Sequence, residues 1–262
     1  MKFCALASGS SGNCIYVGHE DTHLLVDAGI SGKRIEEGLR TAHVEPSSIS
    51  AILITHDHSD HTQGAAVFSK KYGVPIYATA GTLEYIVKTA RCAPTQEFCR
   101  TVRADEELTI GSISVRPFAI SHDAIDPVSY CLKAGGKKLG MATDLGKYDS
   151  YIIDSLSGSD ALYIESNHDV NMLMLGSYPY CLKVRIASDK GHLSNEACGE
   201  LVRQLRTERL KNVVLAHLSK DNNFGELAYE TVRLALEDDD RFDFLPELIV
   251  AKRSEPTGMI TL

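Results

Sequence analysis

The sequence predicts an α/β (α+β) protein in which two β-rich layers are sandwiched between outer helices, with functional loops gathered at one edge. Two observations carry this reading. Short apolar, β-branched runs alternate with stretches of helical period, and the order of strands, a loop rich in His and Asp, then a helix occurs twice along the chain. The 262 residues, 44% hydrophobic and 24% charged, suit one large core, and there is no Pro/Gly/Ser-rich linker or low-complexity stretch, so a single domain over residues 1–262 is expected.

The elements follow in order. Residues 1–7 are too short an apolar piece for a signal peptide and run into Ser8-Gly-Ser-Ser-Gly12, a turn between two strands. A glycine-serine turn can offer backbone N–H groups to an anion, but it is more often only a hairpin. Strands are expected at 13–17 and 22–27. A helix is expected at 30–42, capped by Ser31, with Ile35 and Leu39 inward. Ala51 to Thr55 reads as a strand buried on both faces. A helix follows at 62–72 with Ala65, Ala66 and Phe68 inward, then a strand at 74–78 and a helix at 81–91 with Leu83, Ile86 and Val87 inward. Strands 107–110 and 112–120 pair across Gly111, and strands 128–134 and 137–143 flank the hairpin signal Gly135-Gly136. Ser194 caps a helix whose Ala197, Leu201, Val202 and Leu205 face inward. A helix at 224–237 ends in the acidic run Glu237 to Asp240, read as a solvated terminus, and strands at 247–251 and 259–262 are expected to extend the second sheet. His19, His23 and His43 are read as surface or packing residues.

Chemistry concentrates where the run Ala51 to Thr55 ends. His56, His58, Asp60 and His61 fall within six residues. Protonated imidazoles so crowded would repel one another, whereas neutral imidazole and ionised carboxylate are good ligands for a borderline divalent ion. His56 and His58 point one way from an extended segment, while Asp60 and His61 are offset by a turn. One ion cannot use all four, so two adjacent ions are expected.

His-x-His-x-Asp-His resembles the signature of the metallo-β-lactamase superfamily, and four further stretches resemble its remaining motifs in order. They are Leu24-Leu-Val-Asp27-Ala-Gly29, Ser121-His122-Asp123, Gly140-Met-Ala-Thr-Asp144 and Val213-Val-Leu-Ala-His217. The resemblance implies the four-layer αββα sandwich. It implies that His56, His58 and His122 hold one ion, that Asp60, His61 and His217 hold a second, that Asp144 bridges them, and that Asp27 orients the ligand turn. It also implies hydrolysis by a metal-bound hydroxide. Oxygen and nitrogen ligands of this kind serve Zn²⁺, Mn²⁺ or iron.

The region from Ala161 to Glu208 bears on the substrate. Glu165 follows an apolar run, and His192 sits just outside the N-terminus of the helix that Ser194 caps, where free N–H groups favour an anion. Glu165 could orient His192 and raise its basicity. Glu165-Ser-Asn167-His168-Asp with Gly191-His-Leu-Ser194-Asn195 is similar to the phosphodiesterase branch that includes ribonuclease Z, and closer still to the YycJ/WalJ-type exonucleases. That resemblance implies a metal-dependent 5′-to-3′ DNA exonuclease in which Asp60, His192 and Glu165 serve the reaction. Asn167, His168, Ser188, Lys190, Ser194 and Asn195 would then contact substrate.

The net charge of −8 opposes general attraction to a polyanion, so DNA is expected to bind weakly, by its ends, at the active-site edge. Lys183, Arg185 and Lys190 supply local positive charge near His192, and Tyr178 and Tyr180 are read as packing residues rather than base-stacking ones. Only 73 positions separate Asp144 from His217, too few for an inserted nucleic-acid-clamping domain.

The seven cysteines lack any C-x-x-C spacing and read as core residues of a cytoplasmic protein. None occupies a ligand position, which weighs against an exported antibiotic hydrolase. The alternatives are a small-molecule hydrolase of thioesters, lactones or β-lactams, indifferent to Glu165 and His192, and a non-catalytic, metal-stabilised signalling partner. No apolar run approaches the ~20 residues needed to span a bilayer.

Overall fold

The structure, a computed structural model, describes residues 1–90 and 96–262; Arg91, the expected end of a helix, and Cys92 lie outside the described residues. The chain forms two compact units. One comprises Met1–Ala119, Ala124–Gly136 and Lys252–Leu262, and the other Ile120–Asp123 and Lys137–Ala251.

The first unit opens with β1 (Lys2–Ala7), β2 (Cys14–His19) and β3 (Thr22–Val26), which pair antiparallel in sequence order. Helix α1 (Gly32–Thr41) is capped by Ser31, whose hydroxyl accepts from Arg34 N–H, and it turns Ile35 and Leu39 into a core with Leu6, Leu25, Ile52 and Phe68. β4 (Ala51–Leu53) then joins β3 in parallel, its residues wholly buried as the unbroken apolar run implied.

The helix expected at 62–72 begins earlier and is divided. α2 (Ser59–Thr62) carries Asp60 and His61, and α3 (Ala65–Tyr72) follows after Gln63-Gly64. Gly64 marks the break because the chain crosses the β3–α1 connection there: its N–H donates to Ala28 O at 2.7 Å, and a β-carbon would lie 2.1 Å from Ile30 O. β5 (Ile76–Ala78) extends the parallel part of the sheet. In α4 (Ala80–Thr89) Leu83 and Ile86 are buried as expected, but Val87 is 40% exposed. The buried Thr82 completes that face instead. β6 (Cys99–Thr101), too short and polar to announce itself, pairs parallel with β5. β7 (Leu108–Ile110), β8 (Ile113–Ala119) and β9 (Val128–Ala134) form an antiparallel meander.

After the expected Gly-Gly turn, both of whose residues have positive φ, the second unit starts with β10 (Lys137–Ala142). Next come α5 (Ser150–Leu156), which begins at an Asp149 cap that the sequence reading overlooked, β11 (Ala161–Glu165), and two short helices, α6 (Val170–Leu175) and α7 (Tyr180–Ile186). α8 (Asn195–Leu205) starts from the Ser194 cap, as expected, and buries Cys198, Leu201, Val202 and Leu205. β12 (Asn212–Ala216), α9 (Gly225–Glu237) and β13 (Glu247–Val250) complete the unit, and β10 to β13 pair in parallel in sequence order. The last strand, β14 (Ile260–Thr261), does not continue from β13; it pairs antiparallel with β1 in the first unit.

Three surface readings are corrected. Within the acidic run after α9, Asp239 is buried, 2.7 Å from Arg241 and 3.6 Å from Arg206, because those guanidiniums neutralise it. Cys181 is exposed rather than packed in the core. Tyr180 is 75% exposed, so it is no packing residue, while the Tyr178 hydroxyl donates to Asp221 at 2.8 Å. Among the described residues no helix is long and apolar enough to cross a membrane.

Candidate metal centre

In the first unit the ligand turn is held by one carboxylate. β3 ends at Val26, and the next residue, Asp27, has a φ of 59° that turns its side chain under the end of β4. Asp27 Oδ1 accepts from Thr55 N–H at 2.9 Å, and the Thr55 hydroxyl donates to the same carboxylate at 3.0 Å. Oδ2 accepts from His61 Nδ1–H at 2.7 Å. The Thr55 oxygen, its own proton committed to Asp27, accepts from His56 Nδ1–H at 3.0 Å. One buried aspartate thus sets both tautomers, directly for His61 and through Thr55 for His56, and Nε2 of each ring carries the lone pair.

The rings of His56 and His61 are 4.1 Å apart and those of His56 and His58 4.7 Å. Asp60 Oδ2 lies 3.6 Å from His61 Nε2. Asn13, not assigned to the site from sequence, also meets that nitrogen: its Oδ1 accepts from Gly9 N–H, so its amide hydrogens face His61 Nε2 at 3.0 Å. The only sequence signal for Asn13 was its place at the end of the Ser-Gly turn, and Thr55 was hidden as the last residue of an apolar run.

The second unit repeats the device. His122 Nδ1–H donates to Gly191 O at 3.2 Å, and its Nε2 lies 3.7 Å from Asp144 Oδ1. His217 Nδ1–H donates to Glu165 Oε1 at 2.7 Å, and His192 Nδ1 donates to the same oxygen at 2.8 Å. Glu165 Oε2 accepts from the N–H groups of Leu145 and Leu193 at 3.1 and 3.0 Å. Ligating atoms of Asp144, Glu165, His192 and His217 all lie within 4.8 Å of one another.

Burial alone would raise Glu165, but His192 and His217 outweigh it and hold the carboxyl at about 2. The same contact raises His192 against the effect of burial. Glu165 is wholly buried and holds two imidazoles at once; its bond to His217 is not evident from the sequence. The His192 side chain is 21% exposed.

The remaining substrate-contact candidates fall into two groups. Ser188, half-buried with its hydroxyl donating to Arg185 O at 2.8 Å, and Lys190, exposed, lie on the turn before His192. Asn167, His168 and Asn195 are buried. Asn167 donates to His217 O at 2.8 Å, Asn195 Oδ1 accepts from the Ser166 hydroxyl and from Asn223, and the backbone O of His168 accepts from Asn195 N–H. The Ser194 hydroxyl accepts from Ala197 N–H at the start of α8. The amides of Asn167 and Asn195 and the Ser194 hydroxyl are thereby committed to holding the β11 and α8 ends in place, whereas the buried His168 imidazole has no hydrogen-bond partner at Nδ1 among the described residues. The expected basic cluster is partly neutralised: Arg185 pairs with Asp123 at 2.5 Å, and Lys183 Nζ donates to the Met174 and Gly176 carbonyls.

The donor set fits divalent metal. In four of the five expected ligand imidazoles the protein takes Nδ1–H, which presents Nε2, and the acids beside them are buried or half-buried. Protonated rings at these separations would repel one another; coordinated ones would not.

Comparison with known proteins agrees. The family described as Beta-lactamase superfamily domain matches residues 22–217. Exodeoxyribonuclease YycJ of Bacillus anthracis is 41% identical over 239 residues, 91% of this chain and 90% of that one. Exodeoxyribonuclease WalJ of Streptococcus pneumoniae is 39% identical over 233 residues, 88% of this chain and 87% of that one. Among solved structures, the metallo-β-lactamase fold protein YhfI from Bacillus subtilis superposes with a TM-score of 0.71 at 17% identity, covering 98% of this chain and 99% of that one. Human tRNase Z, short form, gives 0.67 at 17% identity, covering 100% and 99%. At that identity the structures establish the fold alone, the αββα architecture expected from the motifs. With the family match running from Thr22 to His217 and relatives near 40% identity across about nine-tenths of its length, the chain belongs to the β-lactamase superfamily of metal-dependent hydrolases.

Proposed function

We propose that the protein is a metal-dependent exodeoxyribonuclease that shortens DNA from its ends in the 5′-to-3′ direction, working in the cytoplasm as one catalytic domain over residues 1–262. The observation that carries this reading is the Glu165–His192 pair: an imidazole only partly exposed, bonded at 2.8 Å to a buried carboxylate and raised by it. Such an imidazole can bear the positive charge that a phosphate needs and can return a proton to a departing oxygen. A thioester or β-lactam hydrolase has no use for it. The names of the two relatives near 40% identity support the same substrate class.

In this proposal His56, His58 and His122 would hold one divalent ion and Asp60, His61 and His217 the other, with Asp144 a ligand available to both. Zinc, manganese or iron would suit the donors. Two such ions supply Lewis acidity and a water acidified towards neutrality. The chain's own residues do the rest. Asp27 and Thr55 fix the tautomers of His61 and His56, while Glu165 fixes His217 and His192 together. His192 engages the phosphate, and the half-buried Ser188 and exposed Lys190 on the turn before it meet the strand.

The test is digestion of 3′-labelled DNA, single-stranded and duplex, by the protein loaded with Mn²⁺ or Zn²⁺. His192→Ala is expected to depress digestion at least about 100-fold, the lower end of what a general acid contributes, while the metal content stays that of the wild type. A protein inert on DNA that turns over thioesters or β-lactams would overturn the assignment.

A further inference from the structure

One stretch singled out by the sequence, the Ser8–Asn13 turn between β1 and β2, has no part in the metal centre beyond Asn13. Arg253, from the C-terminal segment of the same unit, reaches it: Nη1 donates to Ser10 Oγ at 3.4 Å and to Ser11 Oγ at 3.3 Å. A serine hydroxyl that accepts from a guanidinium turns its own proton elsewhere, here towards solvent, since Ser10 and Ser11 are exposed. Ser10 and Ser11 are the central residues of the turn closed by Gly12 N–H on Gly9 O, and among the described residues their backbone N–H groups donate to no protein acceptor. Two hydroxyls and two N–H groups therefore stand together at the surface, with the Arg253 guanidinium against the hydroxyls.

The turn is fixed to the ligand-bearing segment. Asn13 N–H donates to Asp60 O at 2.8 Å, Gly29 N–H donates to Asn13 O at 2.8 Å, and Asn13 Oδ1 holds Gly9 N–H. The donors on Ser10 and Ser11 thus stand within three residues of Asn13, at most about 10 Å of extended chain. In a chain of net charge −8, a strand end near Asp60 must be held by local donors, because the general field repels it.

We propose that Ser10, Ser11 and Arg253 form the pocket for the terminal 5′-phosphate of the strand being shortened, an assignment that rests on the exonuclease reading and adds to it the end that is recognised. A terminal monoester suits the pocket better than an internal diester. It carries a charge near −2 and three acceptor oxygens, enough for these donors, and an arginine fork binds such a group through two parallel bonds.

The experiment compares one oligonucleotide bearing either a 5′-phosphate or a 5′-hydroxyl, digested by the Mn²⁺-loaded enzyme, with kcat/KM taken for each end. The wild type is expected to favour the phosphorylated end by roughly tenfold or more, as charge-assisted hydrogen bonds warrant. Arg253→Ala and the double variant Ser10→Ala/Ser11→Ala should each bring that ratio close to one, and Arg253→Lys should restore part of it. If Arg253 merely staples the turn, both ends slow together and the ratio stays at the wild-type value, which overturns the pocket; so does a wild-type ratio of one. A metal-loaded wild type that digests neither end refutes the exonuclease reading itself, a result distinct from either of these.

Discussion

Glu165→Gln isolates what the shared carboxylate does. The substitution keeps the volume but replaces an anion that accepts four hydrogen bonds by an amide that can accept at only one end. The fall of the carboxyl from its ordinary 4.5 to about 2 corresponds to about 3 kcal/mol of folding stability. The rise of His192 is the other face of the same interaction and is counted once. The sign follows from both groups. The depressed carboxyl contributes its stability in full above pH 4.5 and loses it as pH falls through about 2. The raised imidazole contributes below pH 6.5 and loses its share as pH rises through its folded value. The deficit of Glu165→Gln should therefore be greatest between pH 4.5 and 6.5. In chelator-treated protein it should read as a fall in melting temperature of roughly 10 °C for about 3 kcal/mol. With metal restored, loss of the carboxylate behind His217 should weaken metal affinity roughly 10–100-fold by chelator competition. A deficit below 1 kcal/mol, or one that does not vary from pH 2 to 8, would refute the account of Glu165 as the anchor of both imidazoles.

Three further outcomes are expected. Asp27→Asn should free the tautomers of His61 and His56 and reduce metal affinity roughly 10–100-fold, measured by metal content after dialysis against a weak chelator. Gly29→Ala places a β-carbon 1.6 Å from Asp60 O and 2.7 Å from His61 N, so the ligand turn must shift; a loss of about 1–3 kcal/mol in urea titration is expected, with reduced metal content. Asp160 is buried and bound by Arg209 at 2.8 Å, Lys138 N–H at 2.9 Å and Lys137 at 3.2 Å, and these outweigh burial to hold its carboxyl below 3.8. Asp160→Asn should cost about 2 kcal/mol at pH 7, and the difference from wild type should vanish as pH falls below 3.8.

The site was legible where chemistry is written in residue type. Imidazoles and carboxylates after apolar runs announce themselves, and the Ser194 cap and the Gly135-Gly136 turn obey local rules that need no tertiary context. What escaped depends on contacts far apart in sequence. Thr55 looks like the tail of a strand; only its position between Asp27 and His56 gives it a role. Asn167 and Asn195 stand beside Glu165 and His192 in the sequence, yet their amides are spent on His217 O, Ser166 and Asn223. A polar residue next to a reactive one can hold the backbone as readily as the substrate, and periodicity does not distinguish the two. β14 was misplaced for a related reason, since two residues carry no pattern that chooses between β1 and β13.

Backbone conformation supplies a separate line of support for the assigned residues. Asp27, Asp144 and His217 each end or closely follow a strand, and each has a positive φ, at 59°, 57° and 55°. A non-glycine residue in that region costs of order 1–3 kcal/mol and persists only where its surroundings over-determine it. At Asp27 the surroundings are Thr55 and His61, and at His217 they are Glu165 and Asn167. Glycine would relieve the strain at any of the three positions, but glycine has no side chain to offer. Glu20, His43, Asp105 and Asp126 share the left-handed region but are exposed, whereas Asp27, Asp144 and His217 are buried at strand ends, so it is positive φ together with burial that sets these three apart. Replacing any of the three by glycine should therefore keep or improve the backbone fit while weakening metal retention, separating the conformational term from the chemical one.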